Sequence, residues 1–310
     1  MCCLLSMKGR AEAPAQTLDY QPVVAVSGTL SSVGSDTMAN LMTLWTENFK
    51  QLHPGTTIQV QTAGSGTAAP ALTEGTATLG PMSRRMTRGE ILAFERSYGY
   101  APTAVPVAVD ALAIFVHRDN PLSVIDIQMV DAIFSSTRAC GANQTARVWG
   151  DVGLTGDWAT RPIDLFGRTS ASGTYGFFKR IALCGGDFSD RVNQQPGASS
   201  VVQALAVSPY GVGYSGAGFG TASVKTVPLV DRLAMTSPEP ENALSNDQAQ
   251  LSRQLYIYTN REPGEPLPPL EREFFRFVLS DEGQQVVARA GYVPVSVSHR
   301  RVLMEQLDLE

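Results

Sequence analysis

Apolar, β-rich runs alternate with segments of helical spacing over the first two thirds of the chain. Runs at 23–26, 57–62, 104–116, 163–167, 211–214 and 227–230 read as strands. Between the first two, Met38, Leu41, Met42, Leu44, Trp45 and Phe49 recur at helical spacing and stop at His53-Pro54-Gly55, where proline and glycine end a helix. The same spacing predicts helices over 69–74, 88–97, 127–134, 175–183, 200–208, 270–279 and 280–290, with their Met, Leu and aromatic stripes in the core. Strand and helix in alternation predict an α/β architecture. Residues 237–250 are polar and weakly patterned and read as a surface excursion; 255–259 is strand-like, and 261–266 is a loop.

Composition sharpens this picture. At roughly 150 residues per domain, 310 residues make about two domains. The chain is 43% hydrophobic and 17% charged, against about 25% charged on average, so disorder is excluded. A formal charge of −5 argues against a broad basic surface for nucleic acid, so an anionic ligand must be held by local geometry. The longest apolar stretch, 105–116, is broken by Pro106 and Asp110 and falls short of the roughly 20 residues of a spanning helix.

The opening MCCLLSMKGRAEAPAQ has a short apolar run, Lys8 and a small-x-small site at Ala11-Glu12-Ala13, but no basic residue ahead of the run. It reads as the remnant of a secretory leader over 1–20 and predicts a periplasmic or secreted protein; the alternatives are a disordered cytoplasmic tail or a lipid anchor at Cys2 or Cys3. Cys140 and Cys184 remain, an even count that suits a disulfide in an exported protein, or else two separate buried thiols. There is no CxxC pair, and His53, His117 and His299 are far apart, so neither a metal nor a cofactor is expected.

Three segments place Gly, Ser and Thr just ahead of a helical pattern: Gly34-Ser35-Asp36-Thr37, Gly64-Ser65-Gly66-Thr67, and Gly167-Arg168 with Ser172-Gly173-Thr174. A helix start carries unpartnered N–H groups and partial positive charge, so glycine-flanked hydroxyls there can surround an oxyanion. Arg168 adds a planar fork of donors. Each segment alone fits ordinary N-capping; three together point to an anion site. Arg84 can face the same cleft or be a solvated loop charge. Asp110, inside an apolar strand, needs a partner, either an arginine or a proton on the ligand.

These residues resemble the PstS-like phosphate-binding proteins of ABC transporters, within the type II periplasmic binding proteins. The likeness covers about 23–295. It rests chiefly on Gly167-Arg168 followed by Ser172-Gly173-Thr174, with Gly64-Ser65-Gly66 and Gly34-Ser35-Asp36-Thr37 as the other oxyanion loops and Met82-Ser83-Arg84 after the next strand. The resemblance implies two α/β lobes joined by two crossing strands. It also implies a cleft ringed by Ser35, Asp36, Thr37, Ser65, Gly66, Arg168, Ser172, Gly173 and Thr174, with inorganic phosphate as ligand and an ABC permease as partner. One position departs from it: where well-studied members carry a carboxylate that accepts the phosphate proton, this chain has Ser83 or Arg84, so Asp36 or Asp110 must take that role. A site for sulfate, which has no proton to share, would need no such acceptor.

The expected organisation is one lobe from 21–107 plus 235–310 and a second from 108–234, with crossings near 105–111 and between 227 and 250. The protein is expected to be monomeric and not an enzyme. Two other readings remain: an anion-binding protein in adhesion or signalling, and a phosphate-ester hydrolase suggested by the elbow-like Gly213-Tyr214-Ser215-Gly216-Ala217, for which no histidine base is evident.

Overall fold

The computed structural model describes residues 17–22, 25–230 and 251–309. The first strand, β1 (Gly28–Val33), begins later than the apolar run at 23–26 suggested; residues 23 and 24 lie outside the described residues, and 25–27 are not strand. Its sequence GTLSSV has little β-branched character, and it becomes a strand by pairing in parallel with β2 (Thr56–Gln61). Between them α1 (Ala39–Leu52) buries Leu41, Met42, Trp45 and Phe49 on one face and ends at His53. Next come α2 (Ala68–Thr73), β3 (Gly80–Met82) and α3 (Arg88–Tyr98), whose start is a Thr87/Glu90 capping box and whose end is the left-handed Gly99.

The long strand β4 (Thr103–His117) is followed by β5 (Ile125–Asp126) and α4 (Ile127–Phe134), capped by Asp126. Then come β6 (Asp164–Arg168), α5 (Gly173–Ala182), β7 (Asn193–Gln195), α6 (Ala198–Ala206) and β8 (Gly211–Gly216). Two short strands follow, β9 (Val224–Val227) and β10 (Leu229–Val230). The surface excursion expected at 237–250 lies outside the described residues. Beyond it stand β11 (Ser252–Thr259), α7 (Pro269–Leu279) and α8 (Asp281–Arg289). A last helix, α9 (Val297–Gln306), carries a weak apolar stripe that the periodicity argument passed over.

Strand β4 serves two neighbourhoods. Residues 103–111 pair antiparallel with β11, which also pairs with β3; residues 112–116 pair with β8, and 114–117 with β9. Strand β8 in turn pairs in parallel with β6, and β6 with β7. A bridge from Ser32 to Leu79 ties the β1–β2 pair to the β3 edge. The two largest of four hydrophobic clusters among the described residues divide accordingly. One draws on residues from Tyr20 to Ala108 and from Leu255 to Leu309, around Trp45, Phe49, Phe274 and Phe277. The other draws on residues from Leu112 to Leu251, around Phe134, Trp149, Phe178 and Tyr214. Cys140 and Cys184 form a disulfide with Cα atoms 5.2 Å apart, on the side of the second core. Among the described residues no helix is long and apolar enough to cross a membrane.

Candidate functional site

The three Gly/Ser/Thr turns meet where the two cores face each other. The first leaves β1 and enters α1. Ser35 N–H donates to the Pro81 carbonyl at 2.7 Å, and Gly64 N–H donates to the Gly34 carbonyl at 2.8 Å, so the first and second turns are stitched together. The second turn docks on the third: Gly66 N–H donates to the Ala171 carbonyl at 3.0 Å. Gly64 has φ of 108°, and a Cβ there would sit 2.8 Å from the Ala171 oxygen, so both its backbone angle and this close approach require glycine. Gly173 is constrained by space alone, because an added Cβ would lie 2.4 Å from Ser83 Oγ and 2.6 Å from Ser65 Oγ.

The hydroxyls these turns carry are buried: Ser35, Thr37, Ser65 and Ser83 are fully enclosed, and Thr174 nearly so. Thr37 Oγ1 and Thr174 Oγ1 share a hydrogen bond of 3.0 Å across the boundary between the cores. Ser65 Oγ accepts from Ser83 N–H at 3.0 Å and lies 3.2 Å from Ser83 Oγ. Capping accounts for only part of this set. Ser172 Oγ does cap α5, accepting from Thr174 N–H at 3.1 Å, whereas α1 has no side-chain cap at all, so the Ser35 and Thr37 hydroxyls are not explained by helix initiation.

Two arginines, each paired with a carboxylate, flank the hydroxyls. Arg168, at the end of β6, is 1% exposed. Its Nη2 is 2.6 Å from Asp36 Oδ1, while its Nε and Nη2 donate to the Gln195 and Pro196 carbonyls. The charges of Asp36 and Arg168 touch, yet no donor is aligned as a hydrogen bond on Oδ1. Asp36 Oδ2 accepts from Ala198 N–H at 3.1 Å, at the start of α6, so one carboxylate from the α1 entry holds two elements of the other side. Asp110 finds its partner in Arg253, which stands directly opposite it in the β4–β11 register. Arg253 Nε and Nη2 both donate to Asp110 Oδ2, at 3.0 and 2.8 Å, and Nη2 also donates to Thr174 Oγ1 at 2.7 Å.

Several polar atoms of this cluster remain unmatched. Ser35 Oγ, Asp36 Oδ1, Arg168 Nη1 and Arg253 Nη1 are buried without a hydrogen-bond partner, as are Ser32 Oγ, Asn120 Nδ2 and Asp131 Oδ1 outside it. A buried polar atom of this kind costs about 1–3 kcal/mol when its hydrogen bond is left unmade. Here the first four belong to residues joined by the contacts above, and with the enclosed hydroxyls they form a donor-rich cluster in which Asp36 Oδ1 rests against the Arg168 guanidinium without an aligned hydrogen bond. Tyr292 braces the cluster from behind by donating its hydroxyl to the Thr37 carbonyl. Burial, reinforced by the Asp110 charge and opposed by Arg253, pushes the Tyr292 phenol up, so it stays a donor.

Arg84 is engaged elsewhere. Its guanidinium forks onto Glu90 at the head of α3, with two contacts of 2.7 Å. Burial pushes the Glu90 carboxyl up, but Arg84 and the Thr87 N–H more than offset it and hold it below its ordinary value. Sequence reasoning missed Arg253 as a member of the cluster. The available signal was the demand that Asp110, in an apolar strand, have a cation; the strand predicted at 255–259 stopped two residues short of it.

The matching family model is described as a PBP superfamily domain and covers residues 19–282. The phosphate-binding protein PstS of Pseudomonas aeruginosa is 58% identical over 94% of this chain and 90% of its own length. The chain belongs to the PstS family of periplasmic binding proteins. Solved structures agree on the two-lobed type II fold. A protein from Clostridium perfringens solved with bound phosphate aligns with a TM-score of 0.71 at 23% identity, over 87% of this chain and all of its own. An ABC-type phosphate transport receptor from Vibrio cholerae aligns at 0.63 and 22%, over 86% of this chain and all of its own.

Proposed function

We propose that the chain captures inorganic phosphate in the buried cluster between its lobes and delivers it to the membrane permease of an ABC importer, acting in the periplasm as a single chain. The observation that carries this reading is the set of buried donors without protein partners, Ser35 Oγ, Arg168 Nη1 and Arg253 Nη1, among enclosed hydroxyls at the starts of α1 and α5. Both halves of the cluster come from one chain. The division of the cores supports lobes of about 21–107 plus 235–310 and 108–234, although Leu251 packs in the second core and favours a second crossing that ends nearer β11.

The proposed ligand shell comprises Ser35, Thr37, Ser65, Ser83, Arg168, Arg253, Gly173 and Thr174. Asp36 Oδ1 is the acceptor for the proton of hydrogen phosphate. Asp110 is the less suited of the two carboxylates, because Arg253 donates two aligned hydrogen bonds to its Oδ2, whereas Arg168 lies against Asp36 Oδ1 without donating one. Micromolar affinity needs about 8.2 kcal/mol, and charge-assisted hydrogen bonds net roughly 1.5–3 kcal/mol each, so about five suffice together with the cost of ordering. A hydrolytic role is disfavoured because the elbow-like serine, Ser215, is buried in β8 with its hydroxyl donating to the Ala198 carbonyl, and Ser172 is engaged as a helix cap.

Isothermal titration with phosphate and with sulfate tests the reading. Saturable phosphate binding with sulfate at least tenfold weaker is expected; no heat of phosphate binding at millimolar ligand overturns it.

A further inference from the structure

We infer that the groove beside the buried cluster is an outer anion site, which concentrates phosphate and passes it across Arg253 to the enclosed one. The inference rests on the phosphate reading above. The groove has a volume of about 620 Å³ and is lined by four arginines, Arg84, Arg85, Arg180 and Arg253, with Phe177 and Tyr256 among its walls and no Asp or Glu in the lining. It adjoins the cluster along three chain continuations: Ser83 leads into Arg84, Thr174 into Gly176 and Phe177, and Arg253 belongs to both.

Of the four guanidinium groups, Arg84 is neutralised by Glu90 and Arg253 by Asp110. Arg85 and Arg180 form no ion pair among the described residues. Instead the Arg85 guanidinium lies over the Tyr256 ring, 5.2 Å from its centroid, and that of Arg180 over Phe177 at 5.5 Å. Ring faces of this kind hold a cation in place without cancelling its charge. Arg253 lies over the same Phe177 ring, 5.4 Å from its centroid, and its Nη2 reaches Thr174 inside the cluster.

The two unneutralised arginines come from different elements, Arg85 from the loop before α3 and Arg180 from α5, and both line the one groove. An anion bound there is attracted by both charges. The chain as a whole carries −5, a field that repels phosphate, so capture at speed requires a local region of opposite sign. Clefts lined by one sign of charge raise association rates by roughly 10 to 1,000-fold, with steep dependence on salt.

The test measures association and dissociation of radiolabelled phosphate by rapid mixing and filtration, comparing the intact chain with the double variant Arg85→Gln/Arg180→Gln. At about 10 mM ionic strength, where screening reaches about 30 Å, the association rate constant is expected to fall at least tenfold. The dissociation rate should stay nearly unchanged, and the difference should close near 1 M salt. The charge-preserving Arg85→Lys/Arg180→Lys variant is expected to retain most of the rate. An unchanged association rate at low salt overturns the outer site, as does a loss that persists at high salt. Failure of the intact chain to bind phosphate in calorimetry overturns the phosphate reading, and the outer site with it; normal binding with an unaltered association rate overturns the outer site alone.

Discussion

Asp36 and Arg168 meet at 2.6 Å although one precedes a helix of the first core and the other ends a strand of the second. Arg168 is enclosed and has one nitrogen, Nη1, left over. Replacing Arg168 with Ala is expected to weaken phosphate binding at least tenfold. Asp36→Asn keeps the shape but adds a donor where an acceptor is needed, so it should reduce the preference for phosphate over sulfate. Parallel titrations with the two anions check both; unchanged phosphate affinity in Arg168→Ala excludes it from the ligand shell.

Arg253 and Asp110 form a cross-strand pair, both side chains almost fully enclosed. Removing one member leaves an uncompensated buried charge, which costs about 3–5 kcal/mol. Arg253→Met should therefore lower thermal stability markedly, whereas the double variant Asp110→Leu/Arg253→Met should recover much of it. Neither should bind phosphate well, since both lose the contact to Thr174. Calorimetric unfolding alongside ligand titration separates the two effects, and a double variant with native affinity would argue that Arg253 does not reach the ligand.

The Cys140–Cys184 disulfide closes a loop with a sequence separation of 44, which in the chain-entropy model stabilises by about 4 kcal/mol. It lies within the second core's side and away from the cluster. Replacing both cysteines with Ala is expected to lower the unfolding midpoint in denaturant while leaving phosphate affinity within about twofold. A large loss of affinity would show that the bond also shapes the site.

His53 offers a pH signature for folding. Tyr20 donates its one hydroxyl proton to Glu273 at 2.6 Å and lies 2.7 Å from His53 Nε2, so Nε2 must carry the hydrogen in that contact. Burial lowers the His53 pKa, with Glu273 opposing. The native state thus refuses a proton that the unfolded chain accepts, and stability is lost as pH falls below the ordinary value of 6.5. The unfolding temperature should drop more between pH 7.5 and 5.5 in the native chain than in His53→Gln, with 6.5 as the reference midpoint. Equal drops would mean that His53 contributes nothing to the pH dependence.

Local pattern carried most of the elements. The helical spacing of Met42, Trp45 and Phe49 and the apolar run that became β4 are signals each segment holds within itself, because periodicity and turn chemistry act over a few residues. Glycine and hydroxyl residues ahead of α1, α2 and α5 were legible for the same reason, as was the need of Asp110 for a partner. What that partner would be was not legible. Arg253 lies 143 residues from Asp110, and only the register of two antiparallel strands sets one against the other. The start of β1 was likewise decided by pairing with β2, since its own residues have little strand preference. The engagement of Arg84 by Glu90, the pairing of Asp36 with Arg168 and the meeting of Thr37 with Thr174 all depend on which surfaces the two cores turn toward each other. Composition and short-range order determined the parts and their chemical character. Long-range packing, which no local window contains, decided which polar atoms would be buried together and which would be left with bonds still to make.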